Sequence, residues 1–234
     1  LYFGVKQNWG DACMKKRFPV FFLLGCVLLG ALSAVAQKKV VIRDAVISVK
    51  VMQGLRLQAD NDESKSSSKR WLKISVTYAL PLSGTKKSTN WLDDVTVKVD
   101  VLYPSYYRGK DVTAILSGKV VYWSLALDGE KHVADFYIPP QVIQRYSQPN
   151  TKIKNSLKKS AVRISFYDNQ QQLLGRAYYS GNKKTSDATV AKSFATAEKL
   201  LGLLKLPGTV LARNKTPWEN FNPDAYDLIK TEEK

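Results

Sequence analysis

The chain has 234 residues and carries 36 Lys and Arg against 20 Asp and Glu, a net charge of +16. Its single histidine and two cysteines are too few for a catalytic zinc, which takes three or four His, Cys or carboxylate ligands. The cationic surplus favours solubility and attracts polyanions such as acidic glycans. The paired lysines Lys38-Lys39, Lys86-Lys87, Lys158-Lys159 and Lys183-Lys184 are spread over separate segments, as on a generally cationic surface with no specific nucleic-acid partner.

Taken in chain order, residues 1–13 precede a start methionine and read as an upstream extension, outside the fold. Residues 14–36 read as a signal peptide. Lys15, Lys16 and Arg17 form a positive n-region, an apolar run begins at Phe18, and Ala34-Val35-Ala36 is the small-x-small pattern cut by signal peptidase. Two other fates stay open. Leu23-Leu24-Gly25-Cys26 resembles a lipobox, and the run is long enough to remain as an anchor, the only membrane contact expected. Cleavage after Ala36 removes Cys13 and Cys26, so no disulfide is expected in the exported domain. The expected location is the periplasm or the cell surface.

Period-two alternation dominates residues 37–185, read as a β-sandwich domain. Residues 40–51 form a first strand, continued through Leu55 and Leu57 after Gly54. Leu72, Ile74, Val76, Tyr78 and Leu80 alternate with polar or small residues, as do Val95, Val97, Val99, Val101 and Tyr103; half-buried antiparallel strands show this pattern. Residues 119–127 and 132–138 flank Asp128-Gly129-Glu130-Lys131, read as a hairpin turn. Residues 162–167 and 173–179 flank a second. Seven or eight short strands of this kind make an immunoglobulin-like antiparallel β-sandwich, without the Cys…Trp…Cys signature. Residues 60–69 read as a solvated loop, and 141–148 as one or two helical turns.

Residues 186–206 read as a packing helix. Val190, Phe194, Ala197, Leu201 and Leu204 recur at spacings of four and three on one stripe, with Ser186 or Asp187 to cap the start and Pro207-Gly208 to stop it. Residues 207–234 read as a C-terminal tail docking on its own domain. Its aromatic content is unlike that of a disordered segment, and Trp218, Phe221 and Tyr226 are the candidate docking residues, Trp218 foremost.

No catalytic constellation appears. His132 stands at the start of a strand, away from any nucleophile elbow, and reads as a solvent-facing strand-edge residue. Asp93-Asp94 and Asp60-Asn61-Asp62-Glu63 read as solvated turns, the latter lacking the glycine and terminal glutamate of a calcium loop. No Gly-rich phosphate loop is present, so neither catalysis nor a cofactor is expected. The candidate ligand-binding residues are Tyr106, Tyr107, Arg108 and Lys110, read as lying on one loop with Tyr103 and Pro104. Aromatic faces stack on sugar rings while nearby cations hold sulfate or carboxylate.

An exported sandwich, a following helix and the segment Arg213-Asn214-Lys215-Thr216-Pro217-Trp218 together resemble the pilus-like, immunoglobulin-fold envelope proteins of verrucomicrobial bacteria. The resemblance covers most of the exported chain in layout, and Lys215-Thr216-Pro217-Trp218 is its sharpest point. It implies a non-catalytic envelope component with envelope or pilus-type protein partners. The chain departs from type IV pilins proper, having no glutamate early in a long N-terminal helix. The alternative expectation is a secreted module for acidic glycans, and a glycan-active enzyme comes third.

Overall fold

The computed structural model divides the chain into two units, Leu1–Lys38 and Lys39–Lys234. It describes residues 40–54, 70–81, 90–182, 184–200, 203–221 and 226–231, all within the second unit. The leader, the continuation through Leu55 and Leu57, the acidic run at residues 60–63 and the loop around it lie outside the described residues.

Among the described residues, nine strands form two layers. Strands β1 (Arg43–Gln53), β2 (Arg70–Ala79), β5 (Lys131–Ile138) and β9 (Leu211–Ala212) make a four-stranded sheet in the order β1-β2-β5-β9. Strands β7 (Leu173–Ser180), β6 (Ala161–Tyr167), β3 (Trp91–Tyr107), β4 (Lys110–Ala126) and β8 (Leu204–Pro207) make the other in the order β7-β6-β3-β4-β8. Short helices α1 (Pro140–Tyr146) and α2 (Ile153–Lys158) connect β5 to β6, and α3 (Asp187–Glu198) follows β7. The core lies between the sheets. Leu72, Ile74, Val76 and Tyr78 from β2 meet Val95, Val97, Val99 and Val101 from β3, the alternating faces read from the sequence. The fold is thus a mainly β, immunoglobulin-like sandwich.

Three local expectations change. Residues 128–131 are not a hairpin turn: β4 pairs with β3 and β8, whereas β5 pairs with β2 and β9. The Asp128-Gly129 turn instead carries the chain from one sheet to the other. The first half of β4 escapes period-two reading because Ala114, Ile115 and Leu116 are buried in succession. One face of this stretch meets the core and the other meets α3. The helix, expected to run on to residue 206, ends at Glu198. Beyond it, β8 pairs in parallel with Ala114–Ser117 of β4, so the sandwich is mixed at that edge. Satisfying the backbone groups of β4 outweighs continuing the helical stripe.

Helix α3 begins as its sequence suggests, with the Ser186 hydroxyl accepting from the Thr189 N–H at 3.4 Å. Val190, Phe194 and Ala197 are buried against Leu102 and Ile115 on the outer face of the five-stranded sheet. Arg163, the register partner of Asp100, joins helix to sheet. Its guanidinium donates to Asp100 and Glu198, both at 2.8 Å, and lies 4.5 Å from the Phe194 ring centroid.

Candidate functional site

The four candidate ligand-binding residues occupy the β3–β4 hairpin, where Tyr107 pairs with Lys110. The tight turn is closed by Arg108 and Gly109 with φ of 50° and 80°, and glycine takes the second value at no steric cost. Tyr106 is 37% exposed, and the Arg108 guanidinium lies 5.3 Å from the Tyr107 centroid. Tyr103 does not join them. It points into the core and its hydroxyl shares a 2.7 Å hydrogen bond with the Ser147 hydroxyl. One rung further down this hairpin, beyond Ser105 and Val112, Pro104 and Thr113 border an open groove of about 720 Å³ that also touches α3.

The tail lies on the outer face of the four-stranded sheet. Arg213–Lys215 forms a short 3-10 helix, whose end is closed by the Thr216 hydroxyl donating to the Arg213 carbonyl at 2.7 Å. That turn delivers Trp218 between two sheet residues: its ring stacks on Tyr137 at 4.7 Å and meets Trp71 edge-on at 4.9 Å. Buried Arg213 ties the turn together, donating to the carbonyls of Trp218 and Phe221 and lying 3.7 Å over the Tyr226 ring. Phe221 contributes its carbonyl, while its ring is 57% exposed.

Beneath the tail lies Asp135, a carboxylate in the middle of β5 and only 3% exposed. It accepts from the Ser75 hydroxyl at 2.5 Å and from the Tyr226 hydroxyl at 2.7 Å, and it pairs with Lys73 at 2.5 Å. Burial, followed by the hydrogen bond and charge of Asp135, pushes the Tyr226 hydroxyl up to about 12. A charge so fully engaged anchors the tail to the sheet, since an unpaired buried carboxylate would be very costly.

His132 also differs from its expectation. It is 8% exposed, stacks 5.6 Å from Tyr78 and faces acceptors with both ring nitrogens. Nδ1 lies 3.1 Å from Asp227 and Nε2 lies 3.1 Å from the Ala126 carbonyl. Only the imidazolium donates to both. Burial alone lowers its pKa, but the bond and charge of Asp227, the charge of Asp128 and the Ala126 carbonyl outweigh it, and the net shift is upward. Next along the chain, Leu228 accepts from the Trp123 N–H at 3.1 Å and the Lys230 N–H donates to Val121 at 2.7 Å. Residues 227–230 therefore line the edge of β4, and Lys230 closes the contact on Asp94 at 2.8 Å.

Sequence reasoning did not anticipate the roles of Asp135, Arg213 and Asp227. The available signal was an acid in the middle of the strand His132-Val133-Ala134-Asp135-Phe136-Tyr137, which demands a partner. Among the described residues, no group of three or more His, Cys, Asp and Glu is placed to hold a metal ion, and no helix is long and apolar enough to cross a membrane.

A protein-family model matches residues 31–233 of the chain. No curated protein matches it. Among solved structures, a protein from Akkermansia muciniphila superposes with a TM-score of 0.59 at 16% identity, covering 83% of this chain and 95% of the other; that likeness is one of fold. A calcium-binding mutant of Bacteroides uniformis beta-glucuronidase 2 aligns over 58% of this chain and 12% of its own length, at 9% identity and a TM-score of 0.27, and carries no argument.

Proposed function

Because the chain belongs to the pilus-like, immunoglobulin-fold envelope proteins of verrucomicrobial bacteria, we propose that it is a non-catalytic structural or assembly component of the cell envelope. The observation that carries this reading is the family match over residues 31–233, which takes in both sheets, the helix and the tail. Three buried charged groups of the described domain support it. Asp100, Asp135 and Arg213 are each engaged by neighbouring side chains or carbonyls, which suits a rigid scaffold. Its partners are envelope or pilus-type proteins, met after export at the periplasmic or outer face of the envelope.

In-cell crosslinking of the tagged chain, followed by affinity purification and mass spectrometry, tests this. Recovery of envelope or pilus-type components, crosslinked through the exposed face of α3 or the tail, is the expected result. Recovery of the chain alone rejects a stable assembly role.

A second reading is favoured by the tip of the β3–β4 hairpin. The exposed Tyr106, the Arg108–Tyr107 stack and Lys110 present a ring face and two cations side by side. That combination suits acidic glycans, whose sugar rings stack while sulfate or carboxylate meets the cations.

A further inference from the structure

We propose that the groove between α3, the α2–β6 connection and the β3–β4 hairpin seats an acidic oligosaccharide, whose sulfate or carboxylate groups are held by Lys158, Lys159 and Lys192. This rests on the acidic-glycan reading and gives it a location that the hairpin tip alone does not supply.

At about 720 Å³ the groove falls in the range of small-ligand sites, about 300–1,000 Å³. None of the described residues lining it is acidic, and three are lysines. In a protein with 20 Asp and Glu, a lining with lysines and no carboxylate is locally cationic, Asp111 standing beyond Thr113 towards the hairpin tip. Lys158 and Lys159 come from the end of α2 and Lys192 from α3, so cations enter the groove from two elements.

Helix α3 is held in one rotation by Val190, Phe194 and Ala197, which are buried on the sheet. The neighbouring stripe, Thr189, Lys192, Ser193 and Thr196, follows spacings of three, one and three and therefore lines a single side of the helix. All four border the groove. Thr113 and Ser180 add hydroxyls from the strands, while Leu102, Pro104 and Ala161 provide apolar wall. Hydroxyl donors and acceptors beside apolar wall match the alternating hydroxyl and C–H surfaces of a sugar.

The hairpin extends this surface. Tyr106 follows Pro104 by two residues on β3, so it stands on the same face, about 7 Å along the strand. An oligosaccharide lying in the groove therefore reaches Tyr106, with Arg108 and Lys110 at the end of the path. Asp111 is the register partner of Tyr106, which places the acid groups of the ligand in the groove rather than against that ring. A single-stranded nucleic acid fits less well, because it needs a row of aromatic faces. Among the described residues lining the groove, the aromatic one is Tyr103, which is buried and bonded to Ser147.

The test titrates the full chain with a sulfated hexasaccharide over a salt series. Three double variants are compared: Lys158→Glu with Lys192→Glu in the groove, Arg108→Glu with Lys110→Glu at the tip, and Lys50→Glu with Lys131→Glu on the four-stranded sheet. All six residues are exposed, so their substitution is expected to leave the core packing in place. The expected result is binding by the parent chain and a loss of about tenfold or more in the groove variant. Its salt slope falls by about 2, while the Lys50 and Lys131 variant stays within about threefold. Equal losses in the groove and remote variants mean attraction to net charge alone and overturn the proposal. Loss only in the tip variant overturns the groove while leaving the acidic-glycan reading standing. Absence of binding by the parent chain overturns both. A polyglutamate peptide binding as tightly as the hexasaccharide, with the same sensitivity to the groove variant, overturns the sugar as ligand.

Discussion

His132 links two parts of the molecule through its protonation state. Its imidazolium donates to Asp227 on one side and to the Ala126 carbonyl on the other; Asp128 stands 3.7 Å from Nε2 and Tyr78 stacks on the ring. Its folded pKa lies above its unfolded value. The pair therefore contributes fully below the unfolded pKa of about 6.5, and the contribution is lost as pH rises through the folded pKa. Denaturant unfolding of the parent chain and His132→Gln is expected to differ by about 1–2 kcal/mol at pH about 5.5. The gap narrows towards pH about 9. A pH-independent gap would show that the ring acts through packing alone.

The first part of the tail is an element fastened around one ring, ahead of the separate contacts of Tyr226, Asp227 and residues 228–230. Trp218 is 6% exposed and sits between Tyr137 and Trp71, on a turn fastened by Thr216 and Arg213. Trp218→Ala removes the aromatic contacts and leaves a cavity over β2 and β5, an expected loss of about 3–5 kcal/mol by chemical denaturation. Amide exchange in 213–218 is expected to accelerate more than exchange in β3 and β6, because the tail opens locally before the core does. Uniform acceleration would mean that tail and core unfold as one unit. Helix α3 is held differently, by the Phe194 stripe and by Arg163 bridging Asp100 and Glu198.

For the whole molecule, the edge of β4 is where the sheet is completed by late-coming chain. Strand β8 covers residues 114–117, the Val210 N–H donates to Ser117, and residues 228 and 230 bond to 123 and 121. At Gly118 the backbone carbonyl of Val210 comes so close that a Cβ would collide with it. Exposed edges template association with other chains. Removing residues 226–234 is therefore expected to lower stability by at least about 2 kcal/mol. It should also produce self-association in sedimentation velocity at concentrations where the full chain is monodisperse. A truncated chain that stays monodisperse and equally stable would show that these bonds do not protect the edge.

The sequence by itself determined which face of β2 and β3 meets the core, because both alternate under a two-residue period that only one backbone geometry accommodates. It also indicated the β6–β7 hairpin and a start of α3 at Ser186 or Asp187, whereas Tyr106, Tyr107 and Lys110 lie at the paired ends of β3 and β4, with Arg108 in the turn, rather than on one loop. Periodicity failed where a strand is covered on both faces, as in Ala114-Ile115-Leu116, and where helical spacing continued into a stretch claimed by a strand edge, as after Glu198. The pairing of β5 with β2, the partners of Asp135 and His132, and the meeting of Lys158 and Lys159 with Lys192 were decided only by the tertiary structure. These contacts join residues distant in sequence, and local periodicity holds no information about which surfaces the folded chain brings together.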